Sequence, residues 1–95
     1  MAPVPVFKNG TNVRRGGSTK GSPDNILGAI DAGDYNAIGQ CAGEQITEGE
    51  NTNFWWVLLD TPVGQGWVSA VRINLGGNDQ PIPGVPSGPT HFAWG

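Results

Sequence analysis

Cysteine, histidine and charged residues are scarce in this chain. One cysteine, Cys41, and one histidine, His91, occur among 95 residues, and only 14% of the residues are charged. A single cysteine excludes an internal disulfide, and a zinc site would have to be built mainly from carboxylates. We therefore expect no metal and no organic cofactor. Cys41 is either a small buried hydrophobe or a free thiol that could form an intermolecular bridge.

The charge that is present is weakly acidic and scattered. The net charge is −3, and Arg14 and Arg15 are the only adjacent cations. Binding to nucleic acid needs a basic stripe, which this chain lacks. No apolar run approaches the roughly 18 residues of a membrane span, and residues 1–8 do not resemble a secretory leader. We expect neither nucleic acid nor a membrane as a partner.

Turn-forming residues are abundant by contrast, with 16 glycines and 8 prolines. Short apolar runs lie between them, which favours short strands joined by turns over disorder. No segment longer than one turn has the period of a helix. The sequence therefore predicts a single all-β domain, a small β-barrel or sandwich of about five or six short strands.

The clearest strand signal spans residues 54–70. Six apolar residues run from Phe54 to Leu59, a proline and two glycines follow, and an aromatic segment resumes at Trp67. This pattern predicts a hairpin of strands 54–60 and 67–73. Further strands are predicted at 11–14, 26–30 and 35–42, with a loop at 16–25 and a strand edge with a hairpin loop at 43–53.

The two ends of the chain differ from this centre. Proline is frequent in residues 1–9 and 76–95, so we predict extended arms there, flanking a barrel at residues 10–75. Apolar residues on such arms need a surface to bury against. We therefore expect the arms to reach neighbouring chains through Val4, Val6, Phe7, Ile82, Val85, Phe92 and Trp94.

Three motifs follow one another in a distinctive order. Asn12-Val13-Arg14 precedes a loop rich in glycine and serine, the strand at 26–30 ends in a glycine turn, and Gly66-Trp67-Val68-Ser69 comes later. Over about residues 10–75 this order resembles the bacterial Src homology 3 family of small β-barrels, and the segment from residue 77 resembles the tails of secreted actinobacterial members. The resemblance implies a non-enzymatic domain that binds cell-wall peptide or polymer. One departure is Arg15-Gly16-Gly17, where the family more often has Ser-Gly-Pro.

Alternation and the family pattern together predict the core. The expected buried residues are Val13, Ile26, Leu27, Ile30, Ile38, Val57, Leu59, Trp67 and Val68.

Aromatic and basic side chains are the candidates for contacts with a partner. Trp55 and Trp56 are adjacent in a strand and must point to opposite faces. One should enter the core and the other should form an exposed platform, unless loops or the C-terminal tail cover both. Arg14 and Arg15 are either solvated, paired with nearby aspartates, or in contact with a ligand. The candidate partner-binding residues are Trp55, Trp56, Phe92, Trp94, Arg14 and Arg15.

Glu44, Glu48 and Glu50 have no nucleophile beside them, so we expect no catalysis. Two classes of function remain. The first is a structural or decoration protein that docks onto a larger repeating assembly, such as the capsid or tail of an actinobacteriophage, alone or with further copies of itself. It would act in the virion, or in the host cytoplasm during assembly. The alternative is a peptidoglycan-binding module of a secreted actinobacterial protein, located at the cell wall.

Overall fold

The computed structural model describes residues 2–20 and 23–88 of the chain. One antiparallel sheet contains six strands in the order β1-β4-β5-β6-β2-β3. The strands are β1 (Ala2–Val6), β2 (Thr11–Arg14), β3 (Ile26–Ile30), β4 (Gly33–Glu48), β5 (Asn51–Thr61) and β6 (Gly64–Ser69), followed by a 3-10 turn at Ala70–Arg72. The described part contains no α-helix, and its extents are 29 × 27 × 25 Å. The prediction of a small all-β, barrel-like domain is confirmed.

The chain after β6 curls back onto the outer edge of β1. Phe7 N donates to Arg72 O at 3.1 Å and Asn74 N donates to Pro5 O at 2.9 Å, on either side of a bridge between Val6 and Ile73. The backbone nitrogen and oxygen of Pro5 therefore point away from β4. For this reason the missing N–H of the proline removes no hydrogen bond from the β1–β4 ladder. Residues 70–73, predicted to continue a strand, form the 3-10 turn and this short return instead.

The hairpin of β4 and β5 dominates the sheet. The predicted strands at 35–42 and 54–60 lie within these longer strands, and the predicted hairpin loop falls at Gly49, where φ is 62°. The register shifts between Ala37 and Gly39 and again between Ala42 and Ile46. The second shift is a bulge that contains Glu44, so this carboxylate does not follow the regular alternation of the strand.

Most of the predicted core is confirmed. Six of the nine residues are buried, and they are Val13, Ile30, Val57, Leu59, Trp67 and Val68. Ile26, Leu27 and Ile38 are only partly buried. Ile26 and Leu27 lie on β3, which is an edge strand, and Ile38 lies at the first register shift of β4. An edge or a bulge leaves one side of a residue without a covering neighbour.

The expectation that both ends reach away from the domain is wrong for the described residues. Val4 and Val6 are 1% and 2% exposed, and Ile82 and Val85 are 1% and 7% exposed, all within the domain's own core. β1 pairs with β4 along its whole length, and the segment around Ile82 is hydrogen-bonded to Gln40. Residues 2–9 and 76–88 therefore belong to the same folded body as the described residues of the predicted barrel. Phe92 and Trp94 lie outside the described residues.

Candidate functional site

The loop between β2 and β3 is held against β4 by one carboxylate. Glu44 Oε1 accepts hydrogen bonds from Thr19 N at 2.6 Å and from Ser18 Oγ at 3.1 Å, and Thr19 Oγ1 reaches both carboxylate oxygens at 2.8 Å. The bond from the Thr19 backbone, supported by those from the Thr19 and Ser18 hydroxyls, lowers the pKa of Glu44. Glu44 N also donates to Gly17 O at 2.9 Å. The β4 bulge thus fixes the position of the loop.

A buried asparagine inside this loop positions Arg14. Asn25 is fully buried, and its Nδ2 donates to Ser18 O at 2.7 Å. Its Oδ1 accepts from Arg14 Nη1 at 2.9 Å. Because the amide is satisfied on both sides, the Arg14 side chain is held beside the loop.

Trp55 and Trp56 occupy opposite faces of β5, as their adjacency predicts. Trp55 packs against the core cluster and its ring centroid lies 5.8 Å from that of Phe54. Trp56 lies on the other face, is only 2% exposed, and donates from Nε1 to Glu44 O at 2.9 Å. The expectation of one exposed tryptophan platform is therefore wrong. Trp56 is buried and Trp55 is partly buried, so neither ring forms an exposed platform.

Trp56 forms part of a small concave surface that we call the arginine cleft, with a volume of about 110 Å³. Its lining residues are Thr11, Asn12, Arg14, Thr19, Ile46, Glu48, Trp56, Ser69, Val71 and Arg72. Two guanidinium groups and one carboxylate therefore meet around an aromatic ring, with four hydroxyl or amide side chains among them.

The two arginines of the cleft differ in their partners. Arg72 forms a two-pronged ion pair with Glu48, Nε to Oε1 at 2.6 Å and Nη2 to Oε2 at 2.7 Å. This pair raises the pKa of Arg72 and lowers the pKa of Glu48. Arg14 bonds instead to the neutral amide of Asn25. Burial lowers the pKa of Arg14, and the charge of Glu44 only partly opposes this effect.

A second concave surface, the asparagine groove, lies where β1, the 3-10 turn and the C-terminal segment meet. Its volume is about 150 Å³, and its lining residues are Phe7, Asn51, Thr52, Asn53, Ala70, Val71, Ile73, Asn74, Leu75, Gly76, Gly77 and Asn78. Phe7 and Leu75 are 39% and 41% exposed, two of the three large apolar residues described as exposed. Two exposed apolar side chains thus line the groove together with amides.

Hydrogen bonds fix the shape of the asparagine groove. Asn53 Nδ2 donates to Gln80 O at 3.0 Å, and Asn78 Oδ1 accepts from Thr52 N at 3.1 Å. Asn78 Nδ2 donates to Glu50 O at 2.9 Å. These bonds join β5 to the chain that follows the 3-10 turn, so the groove is formed by interlocked segments.

The predicted partner-binding residues separate in the structure. Arg14 and Trp56 meet in the arginine cleft, whereas Trp55 faces the core. Arg15 is exposed and its Nε makes a long bond of 3.4 Å to Asp24 O. Phe92 and Trp94 cannot be placed, because they lie outside the described residues.

The sequence analysis missed Arg72 and the role of Glu48 in the cleft. Arg72 lies on the 3-10 turn, which begins where Ser69 Oγ accepts from Val71 N at 3.3 Å. The predicted continuous strand hid this turn. Ser69, placed just before Val71, is the local signal that could have revealed the cap.

No family model, no curated protein and no solved structure matches this chain. Within residues 2–20 and 23–88, no three histidine, cysteine, aspartate or glutamate side chains come together as a metal-binding group. The same residues contain no helix long and apolar enough to cross a membrane.

Proposed function

We propose that this protein is a non-enzymatic binding module that docks onto a larger repeating protein assembly, such as the particle of a phage that infects an actinobacterium. The observation that carries the proposal is the asparagine groove, whose lining includes two exposed apolar side chains, Phe7 and Leu75. Protein interfaces commonly combine apolar anchors at the centre with a hydrogen-bonding rim.

The state of the glutamates supports a non-enzymatic role. Glu44 holds the loop between β2 and β3, and Glu48 is paired with Arg72. The pKa values of both carboxyl groups are lowered by these contacts. A general acid or base that works near neutral pH needs the opposite shift. Both carboxylates are therefore committed to structure.

The fixed shape of the groove supports docking of a protein partner. Its amides are held by bonds between β5 and the C-terminal segment, so little ordering of the backbone is required on binding. Protein subunits offer both apolar side chains for Phe7 and Leu75 and backbone groups for the amides. Because the net charge of the protein is −3, long-range electrostatics would not attract it to a partner with an acidic surface.

Binding to peptidoglycan is the second candidate, and the amides of the same groove favour it. Asn51, Asn74 and Asn78 line the groove beside the exposed ring of Phe7. The amides of Asn51 and Asn74 offer donors and acceptors that match sugar hydroxyl and acetamido groups, whereas that of Asn78 is bonded to Thr52 N and Glu50 O. The resemblance to the bacterial Src homology 3 family points to the same class of ligand.

Cosedimentation separates the two candidates. Purified full-length protein is mixed in parallel with purified particles of actinobacteriophages and with purified actinobacterial peptidoglycan sacculi. We expect the protein to sediment with a particle and to saturate at a fixed number of copies. The variant with both Phe7→Ser and Leu75→Ser should lose this binding, because both apolar anchors are removed.

Val63→Ser is the matched control, because Val63 is 38% exposed and lies outside the groove. This variant should bind as the unaltered protein does. Sedimentation with sacculi alone would replace the assembly proposal with wall binding. Sedimentation with neither, or undiminished binding of the double variant, would contradict the docking surface itself.

A further inference from the structure

We infer that the arginine cleft is a binding site for a single carboxylate group, which Arg14 receives beside Trp56. The inference concerns a different surface from the asparagine groove and does not depend on the proposed docking. It rests on the balance of charge in the cleft, on the size of the cleft and on the hydrogen-bond donors around it.

The charge balance leaves one cation of the cleft without a directly bonded anionic partner. Arg72 is neutralised by Glu48 through two short bonds. Arg14 lines the same cleft, and its bonded partner is the neutral amide of Asn25. Among the described residues, the ion pair between Arg72 and Glu48 is the only salt bridge. The lining of the cleft therefore carries an excess of one positive charge.

Partial burial makes this excess charge costly. The side chain of Arg14 is partly desolvated, and this desolvation is the main reason that its pKa is lowered. The charge of Glu44 acts on Arg14, but its carboxylate is engaged by Ser18 and Thr19 and forms no salt bridge with Arg14 in the described part of the chain. A carboxylate that enters the cleft would give Arg14 a directly bonded anionic partner.

The planar guanidinium group of Arg14 is well suited to bind a carboxylate. Only Nη1 of Arg14 is used by Asn25, which leaves further N–H donors of the planar guanidinium for a ligand. Thr11, Asn12 and Thr19 add hydroxyl and amide groups to the lining. The Thr11 hydroxyl donates to Lys8 O and the Thr19 hydroxyl donates to Glu44, so the amide of Asn12 is the neutral donor among the three that is left for a ligand.

The cleft is small, which restricts the ligand to the end of a chain. Its volume is about 110 Å³, whereas an engineered cavity of about 150 Å³ accepts benzene. A carboxylate with a few further heavy atoms fits, but a nucleotide or a whole sugar ring does not. A phosphate dianion is disfavoured because Glu48 lies in the lining and only one positive charge is in excess. The ligand chemistry is thus a single carboxylate at a peptide terminus or on an acidic side chain.

Titration of the full-length protein with small probes, followed by two-dimensional NMR, tests the inference. The probes are N-acetylalanine, N-acetylaspartic acid α-amide, N-acetylalanine amide and inorganic phosphate. The first has a terminal carboxylate, the second a side-chain carboxylate, and the third no charge. We expect one or both carboxylate probes to shift the backbone amides of Thr11, Asn12 and Thr19 and the indole N–H of Trp56. The uncharged amide should cause no shift.

Arg14→Gln and Arg15→Gln form a matched pair of variants. Both remove one positive charge from neighbouring positions, but Arg15 is exposed and lies outside the cleft. Arg14→Gln should bind the carboxylate probes about tenfold more weakly or worse, as expected when a charge-assisted pair is lost. Arg15→Gln should bind them as the unaltered protein does.

If Arg14→Gln does not fold, the probe series on the unaltered protein still tests whether the arginine cleft binds a carboxylate. Absence of shifts at about 10 mM carboxylate, above the millimolar end of the affinity scale, would overturn the inference. Equal shifts with the uncharged amide, tighter binding of phosphate than of either carboxylate, or equal weakening in Arg14→Gln and Arg15→Gln would also overturn it.

Discussion

The side-chain amide of Gln40 and the backbone of Ile82 are joined by two reciprocal hydrogen bonds, which we call the clasp. Gln40 Nε2 donates to Ile82 O at 2.9 Å, and Ile82 N donates to Gln40 Oε1 at 2.8 Å. Gln40 Nε2 also donates to Val85 O at 2.8 Å, and all of these groups are buried. A side-chain amide on β4 thus satisfies the backbone of a segment that belongs to no strand. This clasp explains how a proline-rich segment can be part of the core.

Replacing Gln40 by leucine should destabilise the fold. Gln40→Leu removes both donors and the acceptor, so backbone groups of Ile82 and Val85 would be buried without partners. We expect a loss of about 1–3 kcal/mol in the free energy of unfolding, the cost of leaving a buried polar group unsatisfied. Chemical denaturation measures it. Gln65→Leu is the control, because Gln65 is exposed near the tip of the β5–β6 hairpin. Equal midpoints for the two variants would contradict the role of the clasp.

Local patterns predicted the central strands well. Val13, Val57, Leu59 and Val68 follow the alternation of strands with one buried face, and all four are fully buried. The ends of the chain could not be predicted in this way. The burial of Ile82 depends on Gln40, 42 residues away, and a single glutamine inside a strand carries no local signal for such a contact.

Ile82 should matter for stability although it lies in the segment expected to be an arm. Its side chain is 1% exposed and is part of the core cluster. Ile82→Ala should lower the free energy of unfolding by about 2–5 kcal/mol, because it removes buried methyl groups and leaves a cavity. Leu75→Ala should change it by about 0.5 kcal/mol or less, since Leu75 is 41% exposed. Thermal or denaturant unfolding compares the two. Similar small effects would mean that residues 76–88 do not fold with the barrel.

Gly66 should not tolerate even one added methyl group. A Cβ at this position would meet Val13 Cγ1 too closely and would lie 2.9 Å from both Arg14 O and Leu27 Cδ1. Gly66→Ala should therefore cost about 1–3 kcal/mol or more through overpacking. At Gly77 the nearest atom to an added Cβ is Gln80 Cγ at 3.9 Å, so Gly77→Ala should be nearly neutral. Denaturation midpoints test the contrast, and a stable Gly66→Ala variant would contradict the close approach of β2 and β6.

Only some residues of the candidate sites could be predicted from the sequence. Arg14 and Trp56 were singled out by residue type, and the structure brings both to one cleft. Arg72 completes that cleft from a turn, and its Nη1 bonds to Thr11 Oγ1 across 61 positions of the chain. Such a meeting is created by the pairing of β2 with β6, which no local motif encodes. The covering of Trp56 likewise depends on the β4 bulge at Glu44.

The anchoring of the loop between β2 and β3 should weaken in acid. The hydrogen bonds from Thr19 and Ser18 hold the pKa of Glu44 below its ordinary value of 4.5. The unfolded chain therefore binds a proton at Glu44 at a higher pH than the folded chain does. The stability that Glu44 contributes is fully present above about pH 4.5 and is lost as the pH falls through the lower folded pKa. The contribution is modest, because this carboxylate is partly open to water.

Glu44→Gln should therefore flatten the acid side of the stability profile. Free energies of unfolding are measured by denaturant titration from neutral pH to about pH 3, through the titration range of glutamate. The gap between the unaltered protein and Glu44→Gln should be largest at neutral pH and should narrow in acid. A residual slope should remain in the variant, since pairing with Arg72 also lowers the pKa of Glu48. Glu50→Gln, at an exposed turn, is the matched control, because it removes one carboxylate away from the loop that Glu44 anchors. If the Glu44→Gln profile runs parallel to that of the unaltered protein, the carboxylate does not anchor the loop through its charge.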